Sequence, residues 1–169
     1  FFLHYTIEEH PGLWSAMMQL PEIERNAWAD SDDLHLEARF LDGQGLLFIG
    51  NFHRLPVSAH VKVRNPRGKE PLDLGSITLN SLTGLMLPIQ TDLAPGLTLV
   101  FAHGELLERK GRRFAVRGPA NSKGVLVLRS KKPVKKITVD GRLIAFKKTN
   151  GTLRAEYLQT GVKQVIEVR

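Results

Sequence analysis

From residue 34 onward, apolar and polar side chains alternate with the period of an extended strand. In LHLEARFL, Leu34, Leu36, Ala38 and Phe40 share one face, and His35, Glu37 and Arg39 share the other. The turn DGQG and the apolar run GLLFIGNF follow, so the two segments predict a hairpin. VSAHVKV alternates through Val57, Ala59, Val61 and Val63 until NPRG ends it, and SITLN, LMLPIQ and LTLVFAH are further short strands. Near the C-terminus, VKKITV, RLIAFKK, TLRAEYL and KQVIEV are separated by Asp140-Gly141, Asn150-Gly151 and Thr160-Gly161. Asp-Gly and Asn-Gly suit the positive φ angles of two-residue hairpin turns, which predicts a meander. The expected fold is all-β: one or more antiparallel β-sandwiches of about ten short strands.

The first thirty residues read differently. Phe1, Phe2, Tyr5 and Ile7 form a short apolar segment broken by Pro11 and Gly12. Leu13, Trp14, Met17, Met18 and Leu20 have helical spacing up to Pro21, and PEIERNAW suits one more helical turn. The predicted organisation is a helical packing segment over 1–30, a first β-sandwich region over 31–118 and a C-terminal meander over 119–169. A soft division falls where ERKGRR and GPANSKG cluster, and a single continuous sandwich is the alternative.

Composition narrows the function more by exclusion than by assignment. At 169 residues with 42% hydrophobic content, the chain can bury a core. No apolar run approaches the length of a membrane span, so no membrane partner is expected. The start FFLHYTIEEH has neither a methionine nor a basic n-region, which predicts a fragment without a secretory leader. Cysteine is absent, which excludes disulfides, thiolate metal ligands and thiol nucleophiles.

The net charge of +7 is unevenly distributed. Residues 1–42 carry two arginines against nine carboxylates, whereas residues 109–154 carry fifteen Lys and Arg against Asp140 alone. The basic set Lys131, Lys132, Lys135 and Lys136 is therefore a candidate surface for an anionic polymer, either acidic polysaccharide or nucleic acid. Nucleic acid is the weaker fit. Base stacking needs exposed aromatics, and this region offers only Phe114 and Phe146, both on alternating strands.

No nucleophile elbow, phosphate loop, dinucleotide fingerprint or HExxH is present, and no cofactor is expected. The histidines sit at scattered strand positions, without the convergence of ligands that a metal requires. Glu8 and Glu9 are adjacent and diverge, Glu105 stands alone, and Asp140 belongs to a turn, so no catalytic carboxylate pair is assigned. Flat rings stack on sugar faces, which makes Trp14, Trp28 and Tyr157, with Tyr5, the candidate carbohydrate contacts.

LLFIGNFHRLP poses the sharpest question, because an apolar strand runs straight into Asn51, His53 and Arg54. Apolar residues on both of its faces predict a strand covered on each side. Asn51 then satisfies backbone groups at the strand end, while His53 and Arg54 emerge into a loop.

The same stretch carries a family resemblance. An acidic turn, a glycine, LLFIGNFHR and the alternating VSAHVKV strand resemble the accessory β-domains of β-galactosidases of glycoside hydrolase family 35 and, more distantly, family 42. LPIQTDLAPGLTLVFAHGELLER is similar to that family's proline-containing strand, glycine-led strand and GELL-like segment. GPANSKGVLVLRS through ITVDGRLIAFKKTNGTLRAEYL looks like the sandwich strands that follow. The resemblance spans about residues 35–169. It implies a non-catalytic domain that packs against a catalytic barrel of the same polypeptide or supports a homo-oligomer, since the family's catalytic glutamates lie on a barrel with no counterpart here.

Overall fold

The alternation becomes fifteen strands, paired antiparallel throughout, in the computed structural model, which describes residues 26–169. No helix occurs among the described residues. Numbered along the chain, β1 (Ala27–Ala29), β4 (Val57–Val63) and β5 (Leu72–Leu79) form a small sheet in the order β1-β4-β5. The central sheet has seven strands. In spatial order they are β13 (Phe146–Thr149), β14 (Thr152–Leu158), β10 (Lys123–Ser130), β7 (Leu97–Ala102), β6 (Thr83–Ala94), β3 (Gln44–Asn51) and β2 (His35–Leu41). A third sheet runs β12 (Arg142–Ile144), β11 (Ile137–Val139), β15 (Gln164–Val168), β9 (Arg113–Arg117) and β8 (Glu105–Lys110).

The central sheet serves two cores. On one half, Leu47, Ile49, Leu87 and Ile89 pack with Ala59, Val61, Leu74 and Leu79 of the small sheet. On the other, Leu99, Leu126, Leu128 and Leu153 pack with Phe114, Ile137 and Ile166 of the third sheet. β10 supplies both, since Val125 and Val127 enter the first core and Leu126 and Leu128 the second. Successive strand residues point to opposite faces, so the two cores lie on opposite faces of one sheet.

Two irregularities let long strands change cores. In β6, Leu85, Leu87 and Ile89 face the first core, but Leu93 faces the second. Gln90 lies between them with φ 50°, a left-handed kink that resets the alternation. In β7, Val100 and Phe101 both enter the first core between Leu99 and Ala102 of the second. The register with β10 shifts at that point, between Val127 and Leu128.

The turn signals hold where dipeptide chemistry is strongest. Asp42-Gly43, Asp140-Gly141 and Asn150-Gly151 all take positive φ and close the β2–β3, β11–β12 and β13–β14 hairpins. The meander does not form. RLIAFKK breaks at Ala145, leaving β12 in the third sheet and β13 on the edge of the central one. Thr160-Gly161 carries the chain between sheets, because β14 pairs with β10 and β13 whereas β15 pairs with β11 and β9. Residues 119–169 are thus continuous with the preceding sandwich. ERKGRR, read as a soft boundary, is the β8–β9 hairpin turning at Gly111.

Of the predicted helical segment, residues 1–25 lie outside the described residues. Its end is a strand: Ala27–Ala29 pairs along β4, with Trp28 opposite Lys62, and completes the edge of the small sheet. The expectation that LLFIGNFHRLP is covered on both faces is also corrected. Leu47 and Ile49 are fully buried, but Leu46 is 46% exposed.

A buried polar tie joins the sheets. Gln159, just after β14, donates from Nε2 to His103 O at 2.7 Å and accepts at Oε1 from Ser122 Oγ at 2.7 Å. His103, just after β7, donates from Nε2 to Leu74 O of the small sheet at 2.7 Å. Gly118, just after β9, lets Gln159 lie flat against the backbone, since a Cβ there would fall 1.9 Å from Nε2. Burial pushes the His103 imidazole below its ordinary value.

Gly118→Ala and Gln159→Ala are each expected to lower stability by about 1–3 kcal/mol in urea unfolding. The double variant should cost less than the sum, because removing Gln159 vacates the space the new methyl needs. Additive losses would contradict this packing.

Because the folded-state pKa of His103 is depressed, the unfolded chain binds the extra proton first as pH falls below about 6.5. The stability tied to a neutral His103 is therefore complete above that pH and declines below it. Unfolding between pH 7.5 and 5.5 should show this slope, reduced in His103→Gln. His35, which burial also lowers, contributes to the slope that remains. An equally steep profile in the variant would refute the assignment.

Candidate functional site

At the end of β3, the polar residues of LLFIGNFHRLP part company. Asn51 is fully buried and its Nδ2 faces Leu55 O at 2.9 Å, Leu79 O at 3.2 Å and Asn80 O at 2.9 Å. Its Oδ1 accepts the backbone N–H of His53 at 2.9 Å. One amide thus closes the 52–55 loop and anchors the end of β5, as an Asn can with two donors and an acceptor. His53 and Arg54 are exposed, and His53 lies 3.6 Å from Asp33. This is a strand terminus, with its chemistry directed at the backbone.

Other titratable groups form separate local contacts. His60 meets Asp73 at 2.8 Å, Glu105 meets Arg117 at 2.7 Å, and Asp140 accepts Val165 N–H at 2.8 Å. Among the described residues no group of three or more His, Cys, Asp or Glu comes together to hold a metal. Arg67 grips Asp92 with both guanidinium nitrogens at 2.7 Å, and that hydrogen bonding brings the Asp92 carboxyl down to about 2. Arg67 Nε also donates to Gly43 O at 2.7 Å, so the NPRG loop is pinned to the β2–β3 turn.

Two of the proposed sugar contacts, Trp28 and Tyr157, lie among the described residues. Trp28 is half-buried on the edge strand β1, and Trp14 and Tyr5 lie outside the described residues. Tyr157 is 8% exposed within the second core, and burial raises its phenol to about 12. Its ring is enclosed on the inner face of β14, so it offers no stacking surface and is withdrawn as a carbohydrate contact.

Two surfaces remain. The first is an apolar shelf on the face of β3 and β6 that no other sheet among the described residues covers. Leu46, Phe52 and Met86 are 46%, 43% and 47% exposed, and half-buried Phe48 pairs across the strands with Met86. His35 sets its ring edgewise against Phe48 and Phe52, at 6.2 and 5.9 Å between centroids. At Gly84 the shelf adjoins a cleft of about 400 Å³ lined by Asn80, Thr83, Glu105 and Arg117.

The second is a basic groove of about 190 Å³ between the 130–134 connection and the β13 edge. Lys131, Lys132 and Lys148 line it with Phe146. Lys135 and Lys136 are exposed but are not among its lining residues, and their backbone N–H groups bond Arg169 O at 2.7 and 3.0 Å. Sequence reasoning missed Lys148. Its signal was the alternation FKKT, which puts Lys148 and Phe146 on one face of a strand.

Comparison with protein-family models gives no match for the chain, and comparison with curated proteins gives none either.

Asn51→Ala is expected to cost about 2–3 kcal/mol by leaving buried carbonyls unpaired. Asn51→Asp should be worse at pH 7, since a buried carboxylate would face the same carbonyls. That carboxyl's folded-state pKa would be raised, so the variant should recover toward wild type as pH falls through it toward about 4. Urea unfolding across that range checks it, and an Asp variant that tracks wild type at every pH would refute the role given to Asn51.

Proposed function

We propose that this chain is a non-catalytic β-sandwich domain of a β-galactosidase-like glycoside hydrolase, and that it packs against a catalytic barrel of the same polypeptide. The apolar shelf is the observation that supports the reading. Leu46 and Phe48 come from LLFIGNFHR, the stretch that also carries the family resemblance, and Met86 comes from the neighbouring strand. Grouped exposed apolar side chains of this kind mark an interaction face. This face, which no other sheet among the described residues covers, is a natural seat for another domain.

Catalysis then belongs to the barrel, with this domain supporting its stability. The isolated chain should hydrolyse no chromogenic galactoside, whereas the polypeptide that carries the barrel should. Leu46→Glu with Met86→Glu should leave the stability of the isolated chain within about 0.5 kcal/mol, because both side chains are exposed. In the larger polypeptide the same pair should lower the thermal midpoint and loosen the domain to proteolysis. Enzyme-like turnover by the isolated chain, or an unaltered midpoint in the larger polypeptide, would overturn the reading. A dimer of the isolated chain that this pair dissociates would instead seat a second copy on the shelf.

A further inference from the structure

We infer that the groove between the 130–134 connection and the β13 edge is a binding site for an acidic polysaccharide. The inference does not rest on the docking reading, because the groove and the shelf are separate surfaces with separate residues.

Charge is the first ground. Between residues 129 and 148 stand eight Lys and Arg and one carboxylate, Asp140, which accepts Val165 N–H. Arg113, Arg117 and Lys123, elsewhere in the basic region, are paired with Glu167, Glu105 and Glu156. Lys131, Lys132 and Lys148 have no carboxylate partner among the described residues. Three ammonium groups around one cavity repel each other, and an anion relieves that repulsion.

Rigidity is the second. Lys131 N–H bonds Gly96 O at 2.8 Å, and Ser130 Oγ donates to Lys132 O at 2.7 Å. The Asn150-Gly151 turn fixes the opposite wall by closing the β13–β14 hairpin. The backbone bearing the lysines is therefore ordered before any ligand arrives, which reduces the entropy lost on binding.

The lining chemistry selects the class. Phe146, half-buried, and Pro133, exposed, provide apolar surface between the ammonium groups. A sugar ring offers an apolar face for these two and carboxylate or sulfate groups for the lysines. A single-stranded nucleic acid needs successive aromatic platforms, and here Phe114 is buried, leaving Phe146 alone.

The test is isothermal titration of the isolated chain with alginate (carboxylate), heparin (sulfate), a neutral galactan and duplex DNA at two salt concentrations. Binding to alginate or heparin, weakened by salt and absent for the galactan, is expected. Which polyanion binds identifies the anionic group. Lys131→Ala with Lys132→Ala and Lys148→Ala should lower affinity about tenfold or more, with the unfolding midpoint unchanged because all three side chains are exposed. Phe146→Leu should weaken binding severalfold, and Lys110→Ala with Lys163→Ala should not. Binding to neither polyanion, full affinity in the triple variant, or equal affinity for duplex DNA would overturn the proposal.

Discussion

Everything in this molecule depends on one sheet that is buried on opposite faces at its two halves. β10 shows the constraint most clearly, with Val125 and Val127 turned to one core and Leu126 and Leu128 to the other. Such a strand must be apolar where both faces are covered, and the buried GVLVL of β10 is. The staggered arrangement forces strands that cross the middle to change allegiance, which Gln90 and the Val100–Phe101 irregularity accomplish. It also creates a seam where three sheets meet. The tie from Gln159 through His103 to Leu74 closes that seam with hydrogen bonds instead of apolar contact.

The stagger also produces the shelf. A central sheet covered on opposite faces at its two ends leaves, at the β2–β3 end, a face that no other sheet among the described residues covers, and Leu46 and Met86 are exposed there. The groove opens instead at the β13 edge, on the side of the second core that Phe146 and Leu153 join. Lys147 and Lys148 on the edge strand β13 double as edge protection, since charge on an outer strand discourages pairing with a second chain. The shelf thus follows from the stagger, and the groove from the way the central sheet ends at β13.

Much of the fold was legible in the sequence because β-structure writes itself locally. The period-two runs in LHLEARFL and VSAHVKV placed strands correctly, and Asp-Gly and Asn-Gly marked three real hairpin turns. The assignment of strands to sheets was not legible. Whether Phe146 follows Ile144 in the same sheet or crosses to another is settled by packing across long sequence distances, which alternation does not encode. The helical turn read over PEIERNAW failed for a related reason, since Ala27–Ala29 forms a strand by pairing with the distant β4. For the candidate site, Lys131 and Lys132 were visible as charge, but Lys148 joins them only after the hairpin folds. Tyr157 misled because an aromatic on an alternating strand faces the core as readily as water.

The account rests on the shelf being a packing face. Met86 reports on it directly, because an exposed thioether oxidises readily and an enclosed one does not. The decisive measurement is the rate of Met86 sulfoxide formation under dilute peroxide, read by peptide mass spectrometry. It should be compared between the isolated chain and the polypeptide recovered from the cells that make it. Rapid oxidation in the isolated chain and strong protection in the cellular polypeptide is the predicted result. Equal rates in both would show that nothing covers the shelf and would contradict the account.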